Sequence, residues 1–269
     1  MSASKERLDV LMVKRGFETT REKAKILVLS GNVFVDNVRV DKPGTFVKTD
    51  CSITTLESAC AYVGRGGLKL EKALSEFDIQ TEQKVFIDVG ASTGGFTDCL
   101  LKHGALKVYA LDVGYGQIAW KLRCDKRVVV MERTNIRNVK PEMFDEKLDG
   151  AVIDVSFISL RLVLPVVDKL LTGSSDIVAL IKPQFEAGKE KVKRNGVVRD
   201  PNVHIEVLTG MAEFCASLGL SLLDVTYSPI KGPSGNIEFL MHLRKGVADI
   251  GTETNEKIEL LVKRAHEEL

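Results

Sequence analysis

The chain has little of what signals metal, disulfide or membrane chemistry. Its five cysteines, Cys51, Cys60, Cys99, Cys124 and Cys215, are odd in number and scattered, with no Cys-x-x-Cys pair. That excludes a zinc ribbon and a disulfide framework, and fits thiols kept reduced in a cytoplasmic protein. His103, His204, His242 and His266 have no ligand spacing, so no metal is expected. No apolar run reaches the ~20 residues that a spanning helix needs. The opening MSASKERLDV lacks the apolar region of a signal peptide. Lys and Arg total 38 against 37 Asp and Glu, so affinity for a polyanion must come from local patches. What remains is 44% hydrophobic and 28% charged, enough for a sizeable core in one large domain, or in a mid-sized domain plus a small one.

The first 58 residues read as a small α+β unit. Leu8, Leu11 and Met12 have helical spacing, as do Ala24, Leu27 and Val28, and Thr19-x-x-Glu22 has the spacing of a capping box. VFV-DN-VRV over 33–40 predicts a hairpin with a two-residue turn. Seven basic residues, Lys5, Arg7, Lys14, Arg15, Arg21, Lys23 and Lys25, face four acids within 1–31. A charge run of this kind is usually only a solvated helix face. The stretch from Ser4 to Val47, however, resembles the ribosomal protein S4-like RNA-binding domain, in its paired helices, its REKAK and its SGNV hairpin. That resemblance implies that Arg7, Lys14, Arg15, Arg21, Lys23 and Lys25 face RNA phosphates, which position a protein without reading sequence.

Residues 59–64 read as a linker, and 65–269 as a second domain. Arg65-Gly66-Gly67-Leu68-Lys69 opens a helix striped by Leu70, Ala73, Leu74 and Phe77. From Val85 onward, apolar runs alternate with helical stretches: VFIDV, KVYALDV, RVVVME, GAVIDVS, DIVALIK, LSLLDVTYS and IEFLMHL. This α/β pattern predicts a largely parallel, Rossmann-like sheet covered on both faces, with ligands at the carboxyl ends of its strands. NEKIELLVKRAHEEL reads as a terminal docking helix.

Asp88 and the turn Gly90-Ala91-Ser92-Thr93-Gly94-Gly95 follow the first of these strands. The turn lacks the Lys-Ser/Thr ending of a P-loop and the G-x-G-x-x-G of a dinucleotide fold. Asp88 would also repel a pyrophosphate. S-adenosylmethionine, cationic and free of phosphate, suits the turn better than a nicotinamide cofactor. Asp112 closes the next strand where such folds hold ribose hydroxyls, and Glu132 to Asn135 fall on the adenine side.

At the end of the fourth strand stands Asp154-Val155-Ser156-Phe157, in place of the Pro-Pro-aromatic motif of amino-methylating enzymes. No cysteine lies near the fourth to sixth strand ends to attack a pyrimidine. Lys69, Asp154, Lys182 and Glu238 could share one cleft, or could be a surface ion-pair network of little consequence. As a set they resemble the Lys-Asp-Lys-Glu group of FtsJ/RrmJ-like ribose 2′-O-methyltransferases, with Lys182 central. A lysine acts as a base only where burial or a second cation lowers its ordinary pKa of ~10.4. Lys182 as base and Lys182 as positioning cation therefore both stand at this point.

RGGLKLEKAL, DVGASTGGFTDCLL, LDVGYGQIAWKLR, ERTNIR, DVSFISL, IKPQFE, GVVRDP and GPSGNIEF occur in order, and the chain is similar end to end to the TlyA family of rRNA 2′-O-methyltransferases, also labelled haemolysins. The resemblance implies methylation of cytidine in large-subunit rRNA, and for longer members small-subunit rRNA too. It implies cofactor contacts from Asp88, Gly90, Ser92, Thr93, Gly94, Asp112, Tyr115, Gln117 and Asn135. Arg65 and the basic segment GKEKVKRNGVVR, with Lys189, Lys191, Lys193 and Arg194, are expected to grip RNA, although a solvated loop is the plainer alternative. The joint Ala59-Cys60-Ala61-Tyr62 departs from the Trp-containing version of some members. Two other classes compete, a cytolysin and a non-catalytic ribosome-binding factor. Cofactor-independent lysis would mark the first, and ribosome binding without methylation the second.

Overall fold

The computed structural model describes residues 4–18, 20–29, 31–55, 61–192, 196–245 and 252–269. The chain divides into two compact units, Met1–Ala61 and Tyr62–Leu269.

In the small unit, β1 (Lys5–Arg7) precedes α1 (Leu8–Lys14) and α2 (Arg21–Leu29), followed by β2 (Val33–Val35), β3 (Val38–Arg39), β4 (Phe46–Lys48) and β5 (Ile53–Thr55). The hairpin falls where the sequence puts it. Asp36 and Asn37 have φ of 50° and 63°, as a type I′ turn requires, so the turn's twist matches its strands. β1 has no signal in the sequence; three residues pairing with β4 leave no periodicity to read. Thr19, of the capping box, lies outside the described residues, and Thr20 Oγ1 accepts the Lys23 amide at 3.3 Å. Leu8, Leu11, Met12, Ala24, Leu27, Val28, Val33 and Ile53 form the core.

The large unit begins with α3 (Gly66–Glu76), β6 (Val85–Val89), α4 (Gly95–Lys102), β7 (Lys107–Leu111), α5 (Trp120–Arg123) and β8 (Val128–Met131). It continues with β9 (Leu148–Ile153), α6 (Leu160–Leu170), β10 (Leu171–Ile181), α7 (Pro183–Glu186), α8 (Pro201–Ser217), β11 (Leu220–Tyr227), β12 (Phe239–Lys245) and α9 (Thr252–Glu268). The seven strands lie in the order β11-β12-β10-β9-β6-β7-β8. Pairing is parallel from β10 to β8, as the alternating pattern predicts, but β12 is antiparallel to both β10 and β11. The eleven residues from Ser228 to Glu238 are too few for the crossover that a parallel return needs. β6 leads to β7 and β8 on one side, whereas β9 adds on the other. The strand order thus reverses at β6–β9, where doubly wound sheets open a ligand crevice.

Local chemistry sets the helix starts. Ser159 Oγ accepts the Arg161 amide and caps α6, while Asp200 accepts the Asn202 amide ahead of Pro201 at the start of α8. α9 buries Ile258, Val262 and Ala265 and packs on α8 and β11, so the tail does dock.

Candidate active site

Two cavities open at the carboxyl ends of β6, β7, β9 and β10, one of 540 Å³ and one of 430 Å³. They share Gly90, Ser92, Asp154, Ser156 and Phe157 as walls.

The turn after β6 forms their common floor. Gly90 has φ +86°, and a Cβ there would stand 2.5 Å from the Asp154 carbonyl oxygen, so both conformation and contact demand glycine. The Gly90 and Ala91 amides bond to the Leu111 carbonyl at 2.8 and 3.0 Å, fixing the turn over the end of β7. Asp112 braces the turn from the other side. Its carboxylate accepts the Ser92 amide at 2.8 Å and the Gly114 amide at 2.6 Å, and it lines the smaller cavity with Gln117 and Asn135. Each carboxylate oxygen keeps a second acceptor position, open to a ribose hydroxyl.

Asp88 lies beneath the turn, fully buried, and on neither cavity wall. Oδ2 accepts from Thr97 Oγ1 at 2.7 Å, and Oδ1 has no hydrogen-bond partner. Burial pushes its carboxyl up to about 7, against the Thr97 bond and with help from the charge of Asp154. Gly94, at φ +94°, starts α4 and also lies off both walls, packed on Leu122. Ser92 and Thr93 are on them. Tyr115 is exposed, its ring stacked under the Arg133 guanidinium at 4.1 Å, and it does not line the smaller cavity.

The larger cavity gathers all four residues of the Lys-Asp-Lys-Glu set. They stand as two pairs. Lys69 on α3 donates to Glu238 at 2.5 Å, both nearly enclosed. Lys182, just past β10, makes an ion-pair contact of 2.5 Å with Asp154 Oδ1 and donates to Ser156 Oγ at 2.9 Å. Asp154 and Ser156, two residues apart just past β9, both bring side chains to the Lys182 amine. Phe157 is 92% exposed at the rim with φ +62°, a strained setting for a bulky side chain. Its ring lies 5.2 Å from that of Phe185.

Asn236, missed in the sequence, fastens the wall opposite. It accepts the Val198 amide and donates to the Gly196 carbonyl, each at 2.9 Å, tying the end of the basic segment to GPSGNIEF. Its motif was legible, but nothing in a lone Asn marks a side chain that binds two backbone groups.

The expected RNA contacts sort by partner. Arg7 and Arg21 both bind the enclosed Asp9, whose carboxyl falls to about 2 through the hydrogen bond from Arg7. Lys14 pairs with Glu6 at 2.5 Å, and Arg15 donates to the Cys51 and Thr49 carbonyls. Lys191 pairs with Glu206. Lys23, Lys25 and Arg65 have no side-chain partner among the described residues. Lys193 and Arg194, and the side chain of Lys189, lie outside what is described.

A crevice at the strand reversal, floored by a glycine turn between strand-end acids, defines an S-adenosylmethionine-dependent methyltransferase. Asp112, Gln117 and Asn135, polar groups along the smaller cavity, fit the ribose and base of an adenosine cofactor. Residues 62–245 match the FtsJ-like methyltransferase family, and residues 6–50 match the S4 domain. The chain is 53% identical to Bacillus subtilis YqxC, which carries a provisional rRNA methyltransferase name, over 100% of this chain and 97% of the relative. It is 44% identical to the Mycobacterium tuberculosis 16S/23S rRNA (cytidine-2′-O)-methyltransferase TlyA, over 90% of this chain and 91% of the relative. A solved structure from Streptococcus thermophilus, provisionally named a hemolysin, superposes with a TM-score of 0.78 at 46% identity, covering 99% of this chain and 98% of that one. The chain belongs to the TlyA family of FtsJ-like methyltransferases.

Proposed function

We propose that this chain transfers a methyl group from S-adenosylmethionine to the ribose 2′-hydroxyl of a cytidine in bacterial ribosomal RNA, in the 23S and, as the name of the Mycobacterium tuberculosis relative supports, also the 16S molecule. The observation that carries this is the setting of Lys182. Its Nζ is held by Asp154 and Ser156 on the wall that both cavities share.

When bound, the cofactor supplies an electrophilic methyl group on a sulfonium. Ser92, Asp112, Gln117 and Asn135 hold its adenosine half in the smaller cavity, above the Asp88–Thr97 pair. Lys182 meets the 2′-oxygen with the side of Nζ that neither Asp154 nor Ser156 takes. It orients a lone pair for attack, and either, once neutral, receives the departing hydroxyl proton or, as a cation, holds the oxygen while that proton leaves to water. Lys69 and Glu238 shape the wall behind. Requiring a 2′-hydroxyl excludes DNA.

Residues 1–58 serve as the RNA-holding domain, 59–64 as a linker and 65–269 as the catalytic domain. Lys23, Lys25 and Arg65 offer free charge to phosphates, joined by Lys189, Lys191, Lys193 and Arg194 of the basic segment. Phe157, exposed and strained at the rim, suits stacking on a nucleotide drawn from its helix. No helix among the described residues is long and apolar enough to cross a membrane. We place the reaction in the cytoplasm, with the ribosomal subunits.

The test is transfer of labelled methyl to subunits from a strain lacking this protein, followed by alkaline digestion, which cannot cut beside a 2′-O-methylated ribose. Label in alkali-resistant dinucleotides, lost with Lys182→Ala while cofactor binding persists, is the expected result. Label only in mononucleotides would mean base methylation and a different mechanism.

A further inference from the structure

The chain segments leaving β9 and β10 carry Asp154, Ser156, Phe157 and Lys182, and a further link joins them outside both cavities. Glu186 ends α7, is partly buried and lines neither cavity of the site. Its carboxylate reaches the start of α6. Oε2 accepts from Ser159 Oγ at 2.6 Å, and Oε1 accepts the Leu160 amide at 2.8 Å. α7 is a single turn that begins right after Lys182, whose carbonyl accepts the Phe185 amide at 2.9 Å. Lys182 and Glu186 are therefore the two ends of one hydrogen-bonded turn, about 6 Å apart along its axis at ~1.5 Å per residue. That turn meets the facing segment along its whole length. Lys182 holds Asp154 and Ser156, the Phe185 ring lies against Phe157, and Glu186 holds Ser159 and Leu160.

The middle of the facing segment is strained. A bulky residue at the φ of +62° found for Phe157 persists only where its surroundings over-determine it. Phe157 is exposed, so its own side chain does little of this, and the two ends of the segment must be fixed instead. We propose that Glu186 is a positioning residue for methyl transfer, clamping the Phe157 segment to the turn that begins at Lys182. This rests on the ribose-methylation reading above, whose central amine the clamp aligns. Without Glu186, Phe157 can return to negative φ and draw Ser156 and Asp154 away from Lys182. A misplacement of ~1 Å at a reacting group is enough to cost about a hundredfold in rate. The polar groups that line the adenosine cavity, Ser92, Asp112, Gln117 and Asn135, stand on other elements, so the loss belongs to turnover. Glutamine can replace the clamp. Its oxygen accepts the Leu160 amide and its nitrogen donates to Ser159 Oγ, so both links persist with one reversed.

The experiment uses the full-length enzyme with ribosomal subunits, as wild type, Glu186→Ala and Glu186→Gln, in single-turnover methyl transfer with calorimetric binding of S-adenosylmethionine. Glu186→Ala should lower kcat by roughly tenfold to a hundredfold, with KM for the subunit and cofactor affinity held. Glu186→Gln should recover most of the rate. Unchanged kcat in the Ala variant, a loss confined to KM, or equal losses in Ala and Gln variants would overturn the proposal. Thermal melts give a second readout that needs no substrate. Phe157→Gly should raise the melting temperature of the wild type, but much less in the Glu186→Ala background, where the released segment has already relaxed. Equal shifts in both backgrounds would also overturn the clamp. Absence of ribose label with the wild type would remove the ribose-methylation reading, and the positioning role with it. Ribose label with the wild type alongside equal melting shifts would remove the positioning role alone.

Discussion

Lys182 Nζ donates to Ser156 Oγ at 2.9 Å and touches Asp154 Oδ1 at 2.5 Å, so two neighbours from one strand end aim a single amine. Ser156 contributes direction without adding a second negative charge. Ser156→Ala should lower kcat by about tenfold to a hundredfold, as loss of one hydrogen bond to a charged group implies. KM for the subunit and cofactor affinity should hold. Single-turnover methyl transfer with calorimetric binding checks this, and Ser156→Thr, which keeps the hydroxyl, should recover part of the rate. An equal loss in Ala and Thr variants would count against it.

Phe157 trades stability for its place at the rim. At φ +62° a phenylalanine costs on the order of 1–3 kcal/mol, which glycine would not. Phe157→Gly should therefore raise the melting temperature of the enzyme by a few degrees while lowering kcat/KM on subunits at least about tenfold, if stacking is worth ~1–3 kcal/mol. A variant that melts no higher would show the backbone to be unstrained. One that keeps full activity would remove the stacking role.

Much of this was legible in the sequence, for definable reasons. Continuous apolar runs alternating with helical stretches marked the seven strands of the large sheet, and Asp36-Asn37 marked the hairpin. The direction of β12 was not legible, because an apolar strand reads the same both ways and only the short connection decides. At the site, charge at strand ends picked out Asp112, Asp154, Lys182 and Glu238. Pairing was hidden, since nothing in the chain order couples Lys69 to Glu238 across 169 positions. Ser156 and Asn236 act through geometry that composition does not record, and Tyr115, its ring against Arg133, lies off the smaller cavity.

That hidden pair makes its own prediction. Lys69 and Glu238 are enclosed together, and Gly232 leaves no room beside Glu238, where a Cβ would stand 2.4 Å from Oε1. Removing one partner strands a buried charge, at a cost of about 3–5 kcal/mol, whereas replacing both with apolar residues restores most of that. Lys69→Met and Glu238→Leu should each destabilise the enzyme in urea melts, and the double variant should recover stability but not turnover. Recovery of turnover as well would reduce the pair to a structural role.

In the small unit, the free and the occupied cations should behave differently. Lys23→Ala with Lys25→Ala should weaken subunit binding and flatten its salt dependence, the log–log slope dropping by roughly one for each phosphate no longer neutralised, with melting unchanged. Arg15 instead holds the Cys51 and Thr49 carbonyls, so Arg15→Ala should lower the melting temperature first. Filter binding across salt concentrations, alongside thermal melts, separates the two. An unchanged salt slope in the lysine variant would remove this helix face from the RNA-binding surface.

Asp88 should make both stability and cofactor affinity depend on pH. Its carboxyl is raised by burial to about 7, above the ~3.9 of an unfolded chain. Between those values the folded enzyme holds a proton that the unfolded chain has released. Stability therefore falls as pH rises from about 4 to about 7, by up to roughly 1.4 kcal/mol per unit, and levels off above. Asp88→Asn keeps an acceptor for Thr97 and cannot ionise, so the free variant should melt above the wild type at pH 8 and converge with it near pH 4. A cationic cofactor favours the ionised acid, so wild-type affinity for S-adenosylmethionine should strengthen as pH rises through 7, and the variant's should stay flat. Melting curves and calorimetric titrations from pH 5 to 8.5 give both readouts. A wild-type affinity that does not move with pH would leave Asp88 as a support for Thr97 and the turn, with no charge offered to the cofactor.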